Sequence, residues 1–298
     1  MATHTVSLMR YTRPVNRRSF TAVLAPAAAL AQDAGVTLTA RQVIGKIREN
    51  LGVAWREPTV DTVKAGDPDT PVQGIATTVM ATLDVLHRAA AQGKNFIVTH
   101  EPTFYNHEDK TQDFEQDPIY QAKQEFIAKN KMVVFRFHDN WHAHQPDLML
   151  TGLAQRLGFT RLATTADPRL FEIPSTTLDK LARDIQARLK AQTMRVVGKP
   201  ETRISRIILN PGYASLMGTV RGLAAADLFI AGEAREWEGV EHAFDAVAAG
   251  QHKALILLGH AISEDPGMAE CAAWLRTFLT NMPIAFIPAG EPFWRPAK

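Results

Sequence analysis

The chain has 298 residues, 46% hydrophobic and 21% charged, with 33 basic and 31 acidic side chains and one cysteine. That length supports a hydrophobic core of its own, and the lone Cys271 excludes an internal disulfide. No stretch reads as a basic patch for nucleic acid and no apolar run is long enough to span a bilayer, so neither partner is expected.

Residues 1–31 read as an address. Arg10, Arg13, Arg17 and Arg18 occur there with no acidic residue, and an apolar stretch runs from Phe20 to Ala31. A basic segment followed by a short apolar one is the layout of an export signal. Asn16-Arg17-Arg18-Ser19-Phe20 resembles the twin-arginine form, and Ala29-Leu30-Ala31 offers small residues for cleavage after Ala31. The alternative is a basic tail on an Ala-rich first helix. Removal of the leader takes four arginines and turns the net charge slightly acidic, so a periplasmic or secreted protein is expected.

Helical and strand periodicities then alternate. The spacing predicts a helix over 39–51, strands near 60–63 and 72–76, and a helix over 78–91 that Gly93 stops. A strand at 96–99 ends in His100-Glu101-Pro102. Residues 107–117, with His107, Glu108, Asp109, Asp113 and Glu115, read as a solvated loop before a helix that follows Pro118. A strand at 132–137 ends in His138-Asp139-Asn140-Trp141-His142-Ala143-His144. Next come a strand at 171–174, a capped helix to about 192, and strands near 195–197 and 204–209. Asn210-Pro211-Gly212-Tyr213 reads as a tight loop, followed by a helix over 217–224, a strand at 227–230 and a helix over 240–249. A strand at 254–258 ends in Gly259-His260-Ala261-Ile262-Ser263-Glu264, and a helix over 271–279 precedes a strand at 284–287. There is no repeat, GxGxxG, phosphate loop or GxSxG, so dinucleotide, nucleotide-triphosphate and serine-hydrolase readings lose their signatures. The pattern is α/β: a two-lobe α/β sandwich, with one lobe from 32–158 plus 253–298 and a second from 159–252.

Three apolar strands therefore end in metal-ligand residues. Carboxyl ends of strands line the ligand crevice of open α/β sheets, so a shared metal site is expected there, between the lobes. Pro102 holds Glu101 out of the helical region, which makes a turn on which His100 and Glu101 can both face the crevice; a buried structural pair is the alternative. His260 and Glu264 are four apart and share one face if a helical turn begins after Gly259; the alternative is an exposed ion pair. At most two of His138, His142 and His144 are expected to reach metal, the alternative being a wet polar loop. His4, His87, His242 and His252 fall in the leader or on helical patterns and read as surface or packing residues.

With these residues the chain resembles the NGG-one-interacting-factor-three-like family of dinuclear metal-centre proteins, also called the GTP cyclohydrolase I type 2 family. In that family one strand ends in His-His-Pro, a second in His-Thr-Asn-Leu-Asp, and a late strand precedes Gly-His-x-x-(Thr/Ser)-Glu. Here these stand as His100-Glu101-Pro102, His138-Asp139-Asn140-Trp141-His142 and Gly259-His260-Ala261-Ile262-Ser263-Glu264. The likeness also takes in Asp227-Leu228-Phe229-Ile230-Ala231-Gly232-Glu233 and the helix ending at Gly250. Glu101 replaces the family's second histidine and His142 its aspartate, so three imidazoles and two carboxylates are kept, with the same ligand charge.

The resemblance implies two divalent ions held by His100, Glu101, His142, His260 and Glu264, with His138 as neighbour or further ligand, and a ring-shaped homohexamer. Glu101 and Glu264 would share the bridging. Zinc, iron or manganese suits such mixed ligation. Paired ions polarise a carbonyl or phosphoryl oxygen and activate water, so the expected function is metal-dependent hydrolysis of a small molecule, with affinity for small anions. Glu233 or Glu236 is the expected proton acceptor. An exported protein does not meet GTP, so that activity is not carried over. The alternatives are a non-catalytic metal-binding or scaffold protein whose ions fix the lobes, and a mononuclear enzyme.

Overall fold

The computed structural model describes residues 37–161 and 167–296; the leader expected at 1–31 lies outside them. Helix α1 (Ala40–Asn50) starts where the Thr39 hydroxyl accepts from Gln42 N and the Gln42 side chain accepts from Thr39 N, a capping box that satisfies two orphan donors. After it come β1 (Val63–Ala65), β2 (Ile75–Thr78), α2 (Leu83–Ala91), β3 (Phe96–Thr99), α3 (Pro118–Lys129) and β4 (Val133–Arg136). Two short helices, α4 (Asp139–Ala143) and α5 (Leu148–Leu157), lead to β5 (Thr160–Arg161), β6 (Leu170–Thr177), α6 (Leu178–Leu189), β7 (Arg195–Val197) and β8 (Arg203–Tyr213). The rest is α7 (Leu216–Ala225), β9 (Leu228–Glu233), a π-helical turn at Glu236–Val240, α8 (Glu241–Ala248), β10 (Ala254–Leu257), α9 (His260–Arg276) and β11 (Ile284–Phe286).

These strands form two sheets, ordered β1-β4-β3-β2-β11 and β5-β6-β8-β9-β10-β7. Strands β2, β3, β4 and β11 run parallel, as do β8, β9 and β10, while β1, β6 and β7 pair antiparallel to their neighbours. Every residue of β2, β3, β4 and β10 is buried, as expected of parallel strands covered on both faces. One core joins α1, α9 and the first sheet through Val43, Ile47, Phe96, Phe135 and Leu275; another joins α5, α6 and the second sheet through Leu153, Ile185, Ile207, Ile230 and Ile256. Helix α9 touches strands of both sheets.

Register delivers the strand ends together. Thr78 lies opposite Thr99 and Thr99 opposite Arg136, so the chain leaves β3 and β4 at one level. In the second sheet Leu258 N and Gly259 N bond to the carbonyls of Ala231 and Gly232, which sets His260 beside Glu233. Beyond β11 the chain returns to the second sheet: Glu291 accepts from the amides of Gln192 and Thr193 at 2.6 and 2.7 Å, and Arg295 donates to the Met194 carbonyl at 2.8 Å.

Four expectations are corrected. The strand at 254–257, expected in the first lobe, pairs between β9 and β7 of the second sheet, and only β11 from that segment joins the first. The helix expected from 78 begins at Leu83, because Thr78 completes β2 and the Thr82 hydroxyl accepts from Val85 N as the cap. Residues 210–213 continue β8 as an irregular end with shifted register rather than a tight loop. The last helix starts at His260 instead of near 271. Among the described residues no helix is long and apolar enough to cross a membrane.

Candidate metal centre

At the end of β3 the Thr99 hydroxyl accepts from Ala81 N and donates to the Val79 carbonyl, both at 3.1 Å, fixing the turn into His100. The His100 ring is fully buried, with Nδ1 3.2 Å from the Phe137 carbonyl. A carbonyl can only accept, so Nδ1 carries the proton and Nε2 presents a lone pair. That Nε2 is buried with no hydrogen-bond partner and lies 3.8 Å from Glu264 Oε1. The other imidazoles repeat the arrangement: Nδ1 of His138 meets Asp139 at 2.9 Å, that of His142 meets Asp147 at 3.2 Å, and that of His260 meets Glu233 at 3.1 Å. Metal-ligating histidines are oriented in this way, one ring nitrogen tied to an acceptor and the other left for the ion.

The free ends converge. Nε2 of His260 lies 3.1 Å from Glu101 Oε1 and 3.2 Å from Glu264 Oε2, the latter without hydrogen-bond alignment, and Nε2 of His138 is 3.9 Å from Glu101 Oε1. Two overlapping groups result, His100 with His138 and His142, and His100 with Glu101 and Glu264; within each, ligand atoms lie within 4.8 Å of one another.

The supports are long-range. Buried Asp61 accepts from the amides of His138, Asp139 and Asn140 at 2.7, 3.0 and 2.8 Å and from the Asn140 side chain at 2.9 Å, gripping the start of α4. Buried Arg136 donates to the His100 carbonyl at 3.2 Å and to the His107 carbonyl, and stands 3.6 Å from both Glu101 and Asp109. Asp147 uses one oxygen on His142 and the other to cap α5. At Gly212, with φ +73°, an added Cβ would lie 2.3 Å from Glu264 Oε1, so only glycine leaves that carboxylate its place.

Burial, with the neighbouring His142 and His138, holds His100 well below the ordinary histidine range, leaving it a neutral ligand. Burial would raise Glu101, but His260, His138 and Arg136 outweigh it and keep the group an anion. Burial would likewise lower His260, yet Glu101, Glu233 and Glu264 push it up to about 12. In the metal-free protein His260 is thus a cation among three carboxylates, where a metal ion would take the proton's place. Burial opposes and Asp147 favours the charged form of His142, and the balance is raised. An orphaned buried nitrogen, oriented imidazoles and anionic carboxylates fit a divalent metal.

The Duf34/NIF3 (NGG1p interacting factor 3) family model matches residues 43–292. The chain belongs to this family. Solved structures share the fold. Staphylococcus aureus protein SA1388 is 17% identical over 87% of this chain and 99% of its own, with a TM-score of 0.68. The Bacillus cereus protein related to NIF3 is 14% identical over 86% and 99%, with a TM-score of 0.66. The Thermus thermophilus protein TTHA1606 is 17% identical over 86% and 100%, with a TM-score of 0.63. No curated protein matches the chain.

Within this NIF3-family fold, His100, Glu101, His138, His142, His260 and Glu264 meet at one place, including the two positions that depart from the family pattern. His144 turns its Nδ1 to the Pro146 carbonyl and its ring toward Trp141 and Trp274. Glu233 is engaged with His260, whereas Glu236 pairs with Arg195 at 2.9 Å on the surface and is not brought to the cluster. Asp61, Arg136, Asp147 and Gly212 escape a reading of the sequence; only the Asp147 cap leaves a local signal. Two cavities open beside His260. One of about 440 Å³ also reaches Glu101, and one of about 810 Å³ is bounded by Glu233, Arg195 and the tail at 288–293.

Proposed function

We propose that this centre holds two divalent ions, zinc, iron or manganese, and that the protein is a metal-dependent hydrolase of a small molecule. The observation that carries the reading is the common orientation of His100, His138, His142 and His260, each with Nδ1 on an acceptor, and with the Nε2 of His100, His138 and His260 facing Glu101 or Glu264. His100, with its single free nitrogen, can serve only one ion, and the donors around it, His138, His142 and His260 with the carboxylates Glu101 and Glu264 able to be shared, are numerous enough to support a second. When bound, such ions supply Lewis-acid polarisation of a substrate oxygen and activation of water. Six side chains are too few to saturate two ions, which leaves positions for a substrate or small anion. Arg136 orients Glu101, and Glu233 orients His260 rather than serving as a free proton acceptor. Tyr213, Met217, Trp237 and Phe244 are exposed on adjoining elements, which supports self-association, as the ring-shaped homohexamer we propose.

One observation favours a second reading. The ligands come from both sheets, so ions that did nothing else would still bind the sheets together as a scaffold. Chelator-free protein should elute as a hexamer carrying two ions per chain when size-exclusion chromatography is read with in-line metal detection. It should turn over a member of a panel of phosphoesters, amides and cyclic amidines, with inorganic phosphate competing, and Glu264→Gln should lose both metal and turnover. A metal-free wild type sinks the centre. Two ions with no turnover, no phosphate binding and a lower melting temperature in Glu264→Gln would instead establish the scaffold.

A further inference from the structure

The cavity of about 440 Å³ beside Glu101 and His260 holds a cation that the metal centre does not use. Met80, Leu83, Pro102, Tyr105 and Ile119 give it mainly apolar walls, interrupted by Lys123 from α3. Lys123 is buried, and Nζ donates to the Thr103 carbonyl at 2.6 Å near the Phe104 and Tyr105 rings, at 5.6 and 5.4 Å. Burial lowers it to about 8, partly offset by Asp109, so it is still a cation at neutral pH.

Its surroundings hold more positive charge than negative. Lys64 and Arg136 both contact Asp109, at 3.5 and 3.6 Å, and that carboxylate also accepts from the amides of Thr103 and Phe104. Glu101 is turned to the centre and is shared with Arg136. Among the described residues Lys123 is therefore left without a carboxylate of its own, and a buried unpaired charge is costly unless something else completes it. At the rim, Tyr105 and Ile119 are 55% and 62% exposed, and Tyr105 holds φ +67°, a left-handed backbone that a bulky residue adopts under strain.

We propose that this cavity is the specificity subsite: it takes a small molecule with an apolar or aromatic body, whose carboxylate pairs with Lys123 while the group to be hydrolysed lies at Glu101 and His260. The assignment rests on the hydrolase reading for the position of the reacting end. Thr103, which Lys123 contacts, is two residues from Glu101, so the backbone anchors of the two ends are at most about 7 Å apart, within the span of one substituted ring. A cavity of this volume lies in the range of small-molecule sites.

The test compares phenylphosphonate with 4-carboxyphenylphosphonate by titration calorimetry on the full chain as purified, its metal counted in the same sample. The carboxylated probe should bind about tenfold more tightly, the effect of one charge-assisted hydrogen bond. Lys123→Met should abolish that preference while holding phenylphosphonate within about twofold, and Lys123→Arg should keep the preference. Equal affinities on metal-carrying wild type, or a preference that survives Lys123→Met, overturns the subsite and leaves the hydrolase reading standing. Protein without metal that binds neither probe removes both. Should the Met variant lose its fold, the two-probe comparison on wild type decides alone.

Discussion

The half of the centre built on the first sheet and the half built on the second are held by different means. His100, Glu101, His138 and His142 hang from two strand ends that buried Asp61 and buried Arg136 tie to backbone groups. His260 and Glu264 occupy the first turns of α9, beside Gly212 and the half-exposed Glu233. The first half is fixed by hydrogen bonds that need no ion. The second is fixed, without metal, by the proton on His260 among three carboxylates. One half is preorganised, and the other exchanges a proton for a metal ion.

The largest expected effect falls on the first half. Asp61→Ala would strip four N–H donors of their acceptor, two of them buried, and at about 1–3 kcal/mol for each buried unsatisfied group the loss should reach about 3 kcal/mol or more in urea unfolding. Metal should leave with it. A loss below about 1 kcal/mol would remove the distinction between the halves.

For the second half the expected effect is one of pH. His260 is raised above its unfolded value, so its proton contributes stability to the metal-free protein that is fully present below about pH 6.5 and is lost as pH rises through about 12. Metal must displace that proton. Affinity should therefore rise at least about tenfold per pH unit across neutral pH, with the His260 proton released and any carried by His142 besides, which calorimetry in buffers of unlike ionisation enthalpy would reveal. Uptake with no proton release would contradict the comparison.

The smallest effects should come from the acceptors behind the rings. Asp147→Asn keeps a side chain able to cap α5 but weakens the hold on His142, and Glu233→Gln does the same for His260. Each should lower metal affinity by about tenfold, the low end for such partners, with Glu233→Gln the milder because that group is half exposed. Competition against a chromophoric chelator would rank them, and the reverse order would place the tighter support on the second half.

What the sequence displayed and what it concealed divide along the same line. Apolar runs ending in His100, His138 and His260 are local patterns, and they disclosed the strands and the α/β class, whereas the choice among His138, His142 and His144 came only with the family resemblance. The residues at 60–63 read as a strand-like run, yet Asp61 turns inward to hold a segment 77 residues away, and pairing starts only at Val63. Arg136 looked like one polar residue in an apolar run; its role depends on carbonyls and carboxylates delivered by another strand end. Periodicity records which face is buried and carries no trace of such partners. Helix α4 escapes the sequence for a related reason: five residues, Asp139 to Ala143, are too few to show an apolar repeat, and their turn is imposed by Asp61.

The course of the chain after β11 bears on how the molecule is made. Strand β2 has β3 on one side and β11 on the other, and Arg88 reaches the carbonyl of Pro288, 200 residues downstream. The wall of the larger cavity at 288–293 and the anchors Glu291 and Arg295 come from the same late stretch. On the ribosome, then, the first sheet emerges with β2 as an open edge and must wait while the second sheet is translated. Open edges recruit other strands. The interval between those two events is when this protein is most exposed to misassembly, and a chaperone that shields β2 would act there rather than on the finished fold.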